Sequence, residues 1–372
     1  MTNNSVNPSL IPWAKPDFWG KEKEYVLQAL SSTWISGGPF VDQLEKDFAS
    51  YQESKFALSA SNGSTALQMA FLALGLKAGD EVIVPAFGFM AAANIASLMG
   101  AKPVFTDVDP KTWCMTAADI ERCVTGRTKI IVAIHTYGNV CPMDDIMELA
   151  RQKSIPVVED AAESFACRYK GKLSGSFGTL GSFSFQATKT ITTGEGGMIV
   201  TDREDLFDSM ALYRSHGLKR KKHYWHELAG HNFRLTNMQA ALGCAQFEKL
   251  DVIIRERQRV HEQYKKQLDN IDGISLQHFS SDVEPVLWAM AVKLGKKAYP
   301  QGRDILLEQM YKANIETRPG FYTAFSMKHL HQSPCLPISE ELSAQIISVP
   351  TYPTLTNAEI GLICKTLMGF RR

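Results

Sequence analysis

What constrains this chain most is a series of short β-rich runs: EVIVPAF (81–87), PVFTDVD (103–109), KIIVAIH (129–135) and IPVVEDA (155–161). A strand with one wet face alternates polar and apolar residues. VIVPA and IIVAI do not alternate, so they read as strands covered on both faces. Between the runs, ASLMG (96–100) and MDDIMELARQK (143–153) have helical character. Strand, helix and strand in succession give βαβ crossovers, and hence an α/β protein with a mostly parallel central sheet flanked by helices. Two further runs, GSFSF (181–185) and GMIVTD (197–202), sit close enough to form an antiparallel, hairpin-like edge.

The texture changes after about residue 235. LTNMQAALGCAQFEKLDVIIRERQRVHEQYKKQL (235–268) reads as one long helical stretch, opened by Thr236 and Gln239 at capping-box spacing. Strand-like ISLQHF, PVLWAMAVKL and ISVP follow, with the helix-like RDILLEQMYKANI and a last helix capped by Thr356 and Glu359. The expected organisation is a large α/β domain over 1–245 and a smaller C-terminal α+β domain over 246–372.

Forty basic against thirty-nine acidic side chains leave no global field to favour a nucleic acid or an anionic membrane, so any anion must be held locally. Seven scattered cysteines with no C-x-x-C pair suggest a reducing compartment and no zinc site. The polar N-terminus lacks a signal-peptide layout, and the apolar tract 86–101 is broken by Gly88, Asn94 and Ser97. The expectation is a cytoplasmic protein with no metal, no nucleic acid and no membrane partner.

Several motifs carry chemistry. In SNGSTALQMAFLAL (61–74), Asn62, Gly63, Ser64 and Thr65 open a helix with an apolar stripe of Leu67, Phe71 and Leu74. Free backbone donors, the positive end of the helix dipole and two hydroxyls make either a phosphate seat or an ordinary N-cap. Asp160 closes an apolar strand at the end where parallel sheets bind ligands, and it reads as a cation partner or as a turn former; Glu159 alternates to the other face. Phe87 and Phe89 follow another strand end and could cover a flat heterocycle or belong to the core. Lys189 lies five residues after Ser184, followed by the turn-forming Gly194, Gly196 and Gly197. A lysine held in a pocket loses part of its affinity for a proton and can attack an aldehyde as the free amine. Phosphate seat, pyridinium partner, ring cover and such a lysine are the parts that pyridoxal phosphate requires.

Together these residues resemble the DegT/DnrJ/EryC1/StrS family of sugar aminotransferases, which are fold type I pyridoxal-phosphate enzymes. The likeness runs in order through WISGGPFVDQLEKDFA, NGSTAL, VIVPAFGFMAAAN, GAKPVFTDVDP, HTYGNVCPMDDI, VVEDAAES, SFQATKTITTGEGGMIVTD, HNFRLTNMQAALG and IETRPGFY, nearly the whole chain. The resemblance implies that Lys189 bonds the cofactor's aldehyde carbon and, once freed, moves a proton between substrate and cofactor. Asp160 would keep the pyridine nitrogen protonated, Phe89 would stack on the ring, and Glu163 would neighbour the ring hydroxyl. Gly63, Ser64 and Ser184 would hold the phosphate, completed by Asn232 of a second copy, so that a homodimer would share the site.

The lead-in residues AFGF and QATK depart from the family's commoner forms, which weakens any transfer of substrate identity. The lysine itself disfavours the related dehydratases, which carry a histidine there. KTITTGEGG and IETRPGFY resemble the members that aminate C4 of a GDP-linked 4-keto-6-deoxyhexose, the perosamine synthases. A UDP- or dTDP-linked keto sugar, a cyclitol ketone or an unactivated keto sugar fits the same core, with glutamate as the family's usual amino donor. Substrate-side candidates are Trp34, Arg318 and the basic run Lys219, Arg220, Lys221 and Lys222 with Tyr224 or Trp225, which also reads as a solvated loop. His135 and His216 read as structural or orienting groups. The reading of a different class is a non-catalytic, cofactor-binding regulator of the same fold, for which no DNA-binding appendage is visible.

Overall fold

The computed structural model describes residues 10–219, 222–330 and 336–372. Seven strands make the main sheet: β1 (Phe56–Ala60), β2 (Glu81–Pro85), β3 (Lys102–Thr106), β4 (Thr128–Ile134), β5 (Val157–Asp160), β6 (Leu180–Ser184) and β7 (Gly197–Thr201). Their spatial order is β1-β7-β6-β5-β4-β2-β3. Only β7 runs against the rest, pairing antiparallel with both β1 and β6. The pairings of β6 with β5, β5 with β4, β4 with β2 and β2 with β3 are all parallel.

The absence of alternation in the sequence has its cause here. On one face Val82, Val84, Ile130, Val132 and Val158 pack with Leu67, Phe71 and Ile95 from helices Gly63–Ala73 and Ala91–Leu98. On the other, Ile83, Ile131, Ala133 and Val157 pack with Ile146 and Leu149 of helix Met143–Lys153. Each buried aliphatic side chain contributes roughly 1.5–3 kcal/mol, so both faces of every central strand hold the sheet in register. The pair β6 and β7 is antiparallel, as the sequence suggests, but it is not the edge. β1 covers β7, and FALSA is too short and too close to the next helix cap to stand out as a strand.

The C-terminal part forms a second sheet of β8 (Ile274–Leu276), β9 (Met290–Leu294), β10 (Arg318–Pro319) and β11 (Ile346–Val349), in the order β8-β9-β11-β10 and antiparallel throughout. Its core draws on Val260, Tyr264 and Leu268 of helix Leu250–Leu268, with Ile360, Ile363 and Leu367 of helix Asn357–Gly369. The long helical stretch expected over 235–268 is two helices, Asn237–Phe247 and Leu250–Leu268, parted at Glu248 and Lys249. Both expected capping boxes form, Thr236 with Gln239 and Thr356 with Glu359. Among the described residues no helix is long and apolar enough to cross a membrane.

Candidate active site

Strand alternation sends the two carboxylates at the end of β5 to opposite faces. Glu159, fully buried, accepts hydrogen bonds from the backbone amides of Gly175, Phe177 and Gly178 at 2.8, 2.6 and 2.6 Å. It also meets His135 Nε2 at 2.9 Å, while His135 Nδ1 accepts from the Cys141 amide. Because Nδ1 accepts, Nε2 carries the proton and donates. His135 is thus an orienting group. Asp160 has no such set of donors. Its carboxylate accepts only the Ala162 amide, at 3.1 Å, among the described residues. Burial pushes it above the usual carboxylate range, against the pull of that amide, Lys189 and His135.

A second cradle lies where helix Gly63–Ala73 begins. Asn62 caps the helix by accepting from the Thr65 amide at 2.9 Å, and the Ala66 amide donates to the Asn62 carbonyl. Among the described residues the amides of Gly63 and Ser64 donate to nothing, and the Ser64 side chain is exposed. Close approach shapes the cradle: a Cβ on Gly197 would lie 2.6 Å from the Asn62 carbonyl carbon and oxygen, and one on Gly63 would lie 3.0 Å from Ser184 Cβ. The start of β7 and the end of β6 therefore press directly on the helix N-terminus. Two free amides, the dipole and the Ser184 hydroxyl converge there.

Lys189 is partly buried on the turn between β6 and β7, and its Nζ sits 3.7 Å from the centroid of the Trp288 ring. Burial lowers its proton affinity, the carboxylates of Glu163 and Asp160 raise it, and the Arg257 guanidinium lowers it further. Glu163 is buried and accepts from the Tyr137 amide at 2.8 Å; desolvation drives its carboxyl upward, to about 7. An aromatic wall stands beside these groups. Phe321 stacks on Tyr137 with centroids 4.9 Å apart, and Trp288 lies nearly parallel to both. Phe87 and Phe89 separate cleanly: Phe87 is fully buried in the core, whereas Phe89 is 59% exposed with its ring 6.3 Å from Phe321.

Of the remaining expected residues, Asn232, Trp34, Arg318 and Lys219 are exposed, and Arg318 lies over the Trp13 ring that packs against Trp288. Asn232 is exposed, its Oδ1 accepting from Arg234 Nε at 3.0 Å. Trp34 is 66% exposed. Arg318 is exposed and paired with Glu316 at 2.5 Å. Lys219 pairs with Glu227 at 2.7 Å, and Lys222 sits over the Trp225 ring. Arg220, Lys221 and Cys335 lie outside the described residues. His216 holds the loop at a positive φ of 60°, its carbonyl accepting from His226 Nδ1. Sequence reading missed Tyr137, Trp288, Phe321 and Arg257. Three of these are aromatic residues that look like core, but Arg257 carries a usable signal. It falls on the helical stripe of Ile253, Val260 and Tyr264, where an apolar side chain belongs, and it is 4% exposed.

The donors present suit pyridoxal phosphate. They comprise a buried carboxylate that accepts one amide among the described residues, a cradle with two free amides, an exposed aromatic ring and a lysine of lowered proton affinity. The chain belongs to the DegT/DnrJ/EryC1/StrS aminotransferase family, whose model matches residues 17–368. It is a pyridoxal-phosphate-dependent sugar aminotransferase, working between an amino donor and a keto-sugar acceptor. Over 362 residues it is 40% identical to the GDP-perosamine synthase of Escherichia coli O157:H7, covering 97% of this chain and 98% of that one. The GDP-perosamine synthase of Caulobacter vibrioides is also 40% identical over 362 residues, at 96% and 97% coverage. Among solved structures, the aminotransferase from Psychrobacter cryohalolentis matches with a TM-score of 0.88 and 31% identity, over 97% of this chain and 98% of that one.

Proposed function

We propose that this enzyme transfers the amino group of glutamate to C4 of GDP-4-keto-6-deoxymannose. The product is GDP-perosamine, made in the cytoplasm for a surface polysaccharide such as a lipopolysaccharide O-antigen. The observation that carries the choice of sugar is the end-to-end 40% identity to two proteins named for that product.

Pyridoxal phosphate supplies an aldehyde for amine exchange and a ring that withdraws electrons from the bond being broken. Lys189 Nζ would be the amine to which the aldehyde is joined. Its lowered proton affinity leaves it able, once free, to take a proton from the substrate carbon. Asp160 would hold the pyridine nitrogen protonated, and among the described residues only the Ala162 amide donates to its carboxylate, which leaves an oxygen available. Glu163 would neighbour the ring hydroxyl, Phe89 would cover the ring face, and Gly63, Ser64 and Ser184 would hold the phosphate.

Asn232 reaches that phosphate from a second copy of the chain. A homodimer is supported by the apolar residues that one copy leaves exposed on and just after helix Glu22–Ser31, namely Leu27, Leu30, Trp34 and Ile35. Trp34, Arg318, Lys219 and Arg220 serve the nucleotide-sugar side, with Lys219 and Arg318 exchanging their carboxylate partners, Glu227 and Glu316, for substrate.

The test offers the loaded protein glutamate with GDP-, dTDP- and UDP-linked 4-keto-6-deoxy sugars, reading aminated product by mass spectrometry and 2-oxoglutarate by a coupled assay. The GDP sugar is expected to react fastest. Preferential turnover of either other nucleotide sugar overturns the choice of acceptor.

A further inference from the structure

We propose that Trp288 and Arg257 are positioning residues for Lys189: the indole face is the seat of the lysine nitrogen whenever it is not bonded to cofactor, and the guanidinium is the brace that fixes loop and seat together. This rests on the reading of Lys189 as the cofactor lysine.

The seat is well defined. Lys189 Nζ lies 3.7 Å from the indole centroid, inside the roughly 6 Å over which a ring face attracts a cation. The indole cannot turn freely, because its Nε1–H donates to the Thr188 carbonyl at 3.1 Å and Trp13 packs edge-on with centroids 5.5 Å apart. The residue that offers the seat is thus tied to the neighbour of the residue that uses it.

The brace crosses between the two sheets. Arg257, buried on helix Leu250–Leu268, donates through Nη2 to the Lys189 carbonyl at 3.1 Å and through Nη1 to the carbonyls of Leu287 and Trp288 at 3.1 and 3.3 Å. Its Nε has no partner among the described residues. A neutral side chain or water could satisfy backbone carbonyls, so a buried cation is a costly choice for bracing alone. Its charge also acts on the amine. The groups facing Lys189 are Glu163 and Asp160 from the segment at the end of β5, and Arg257 from the helix. Lys15 and Asp17 of the N-terminal segment line the small cavity that Lys189 and Arg257 share. The indole favours the ammonium and the guanidinium disfavours it, so the two hold the free nitrogen where it can carry or release a proton.

Borohydride reduction of the loaded protein, with peptide mapping, first locates the cofactor lysine; a label elsewhere than Lys189 rejects the reading of the site, not the brace. Next, the cofactor-free wild type and the variants Trp288→Leu, Arg257→Gln and Arg257→Lys are treated with trinitrobenzenesulfonate across pH. Modification of Lys189 is followed by mass spectrometry, and folding is checked by circular dichroism. Trp288→Leu is expected to move the midpoint down and Arg257→Gln to move it up, each changing the neutral fraction at fixed pH by about threefold or more. Arg257→Lys is expected to stay near wild type. An unmoved midpoint in a folded Trp288→Leu or Arg257→Gln variant, or a shift of the two in one direction, overturns the proposal. Should one of them fail to fold, the sign of the other's shift decides.

Discussion

Asp160 and Glu159 are adjacent on one strand, yet among the described residues Glu159 accepts three backbone amides and the His135 ring while Asp160 accepts a single amide. The first carboxylate is consumed by the fold; the second is the one proposed to meet the pyridine nitrogen. Substituting them therefore separates stability from chemistry. Glu159→Gln leaves buried donors facing an amide group, and it is expected to cost about 3 kcal/mol in urea unfolding of the cofactor-free protein. Asp160→Asn is expected to unfold near wild type but to slow the glutamate half-reaction on the order of 10²-fold, measured by single-turnover absorbance.

Gly197→Ala tests the cradle. The φ of this glycine is not positive, so the issue is space alone: its Cβ would meet the Asn62 carbonyl at 2.6 Å and the Gly63 amide nitrogen at 2.9 Å, and backbone cannot swing aside. The helix N-terminus must move away from Ser184. Affinity for pyridoxal phosphate is expected to fall about tenfold, the worth of one hydrogen bond to a charged group, as read by absorbance titration. Unchanged affinity would place the phosphate elsewhere.

Glu163 gives the cofactor-free protein a pH signature. Its folded carboxyl is raised from 4.5 to about 7 by burial. Between those values the folded state holds a proton that the unfolded state has lost, so stability falls as pH rises, by up to about 1.4 kcal/mol per unit. This contribution is fully present below pH 4.5 and gone above about 7. Glu163→Gln is expected to remove it, leaving a flatter profile over that window in thermal or urea unfolding. Loss of Glu163 also removes the carboxylate that most raises Lys189, so the lysine's own titration moves to lower pH.

How much of this was legible follows from what each residue does for the fold. The parallel strands were readable because burial on both faces, as at Val82 and Ile83, leaves runs that no half-wet strand would carry. The caps at Thr236 and Thr356 were readable because their bonds are local. The break at Glu248 and Lys249 was not, since both helices keep an apolar stripe and the turn between them has no glycine or proline. Trp288 and Phe321 lie far along the chain from Lys189 and look like core; only tertiary packing makes them a wall. Arg257 was readable in principle, as a charge on an apolar stripe.

Phe87 and Phe89 show the same limit and allow a last test. Two residues apart past the end of β2, they look alike in sequence, but the turn sends Phe87 inward against Tyr137 and Phe321 and leaves Phe89 59% exposed. Phe87→Ala empties part of a close-packed aromatic cluster and is expected to cost about 3–5 kcal/mol in unfolding experiments. Phe89→Ala gives up little packing in one copy of the chain, so its unfolding is expected to change by less than about 1 kcal/mol. Its effect should fall on the cofactor instead, because a ring that covers one face of a heterocycle contributes about 0.5–1.5 kcal/mol. That corresponds to cofactor release several-fold faster in dilution experiments on the loaded protein. Equal loss of stability in the two variants would mean that Phe89 is buried in the assembled protein and is not a cover for the ring.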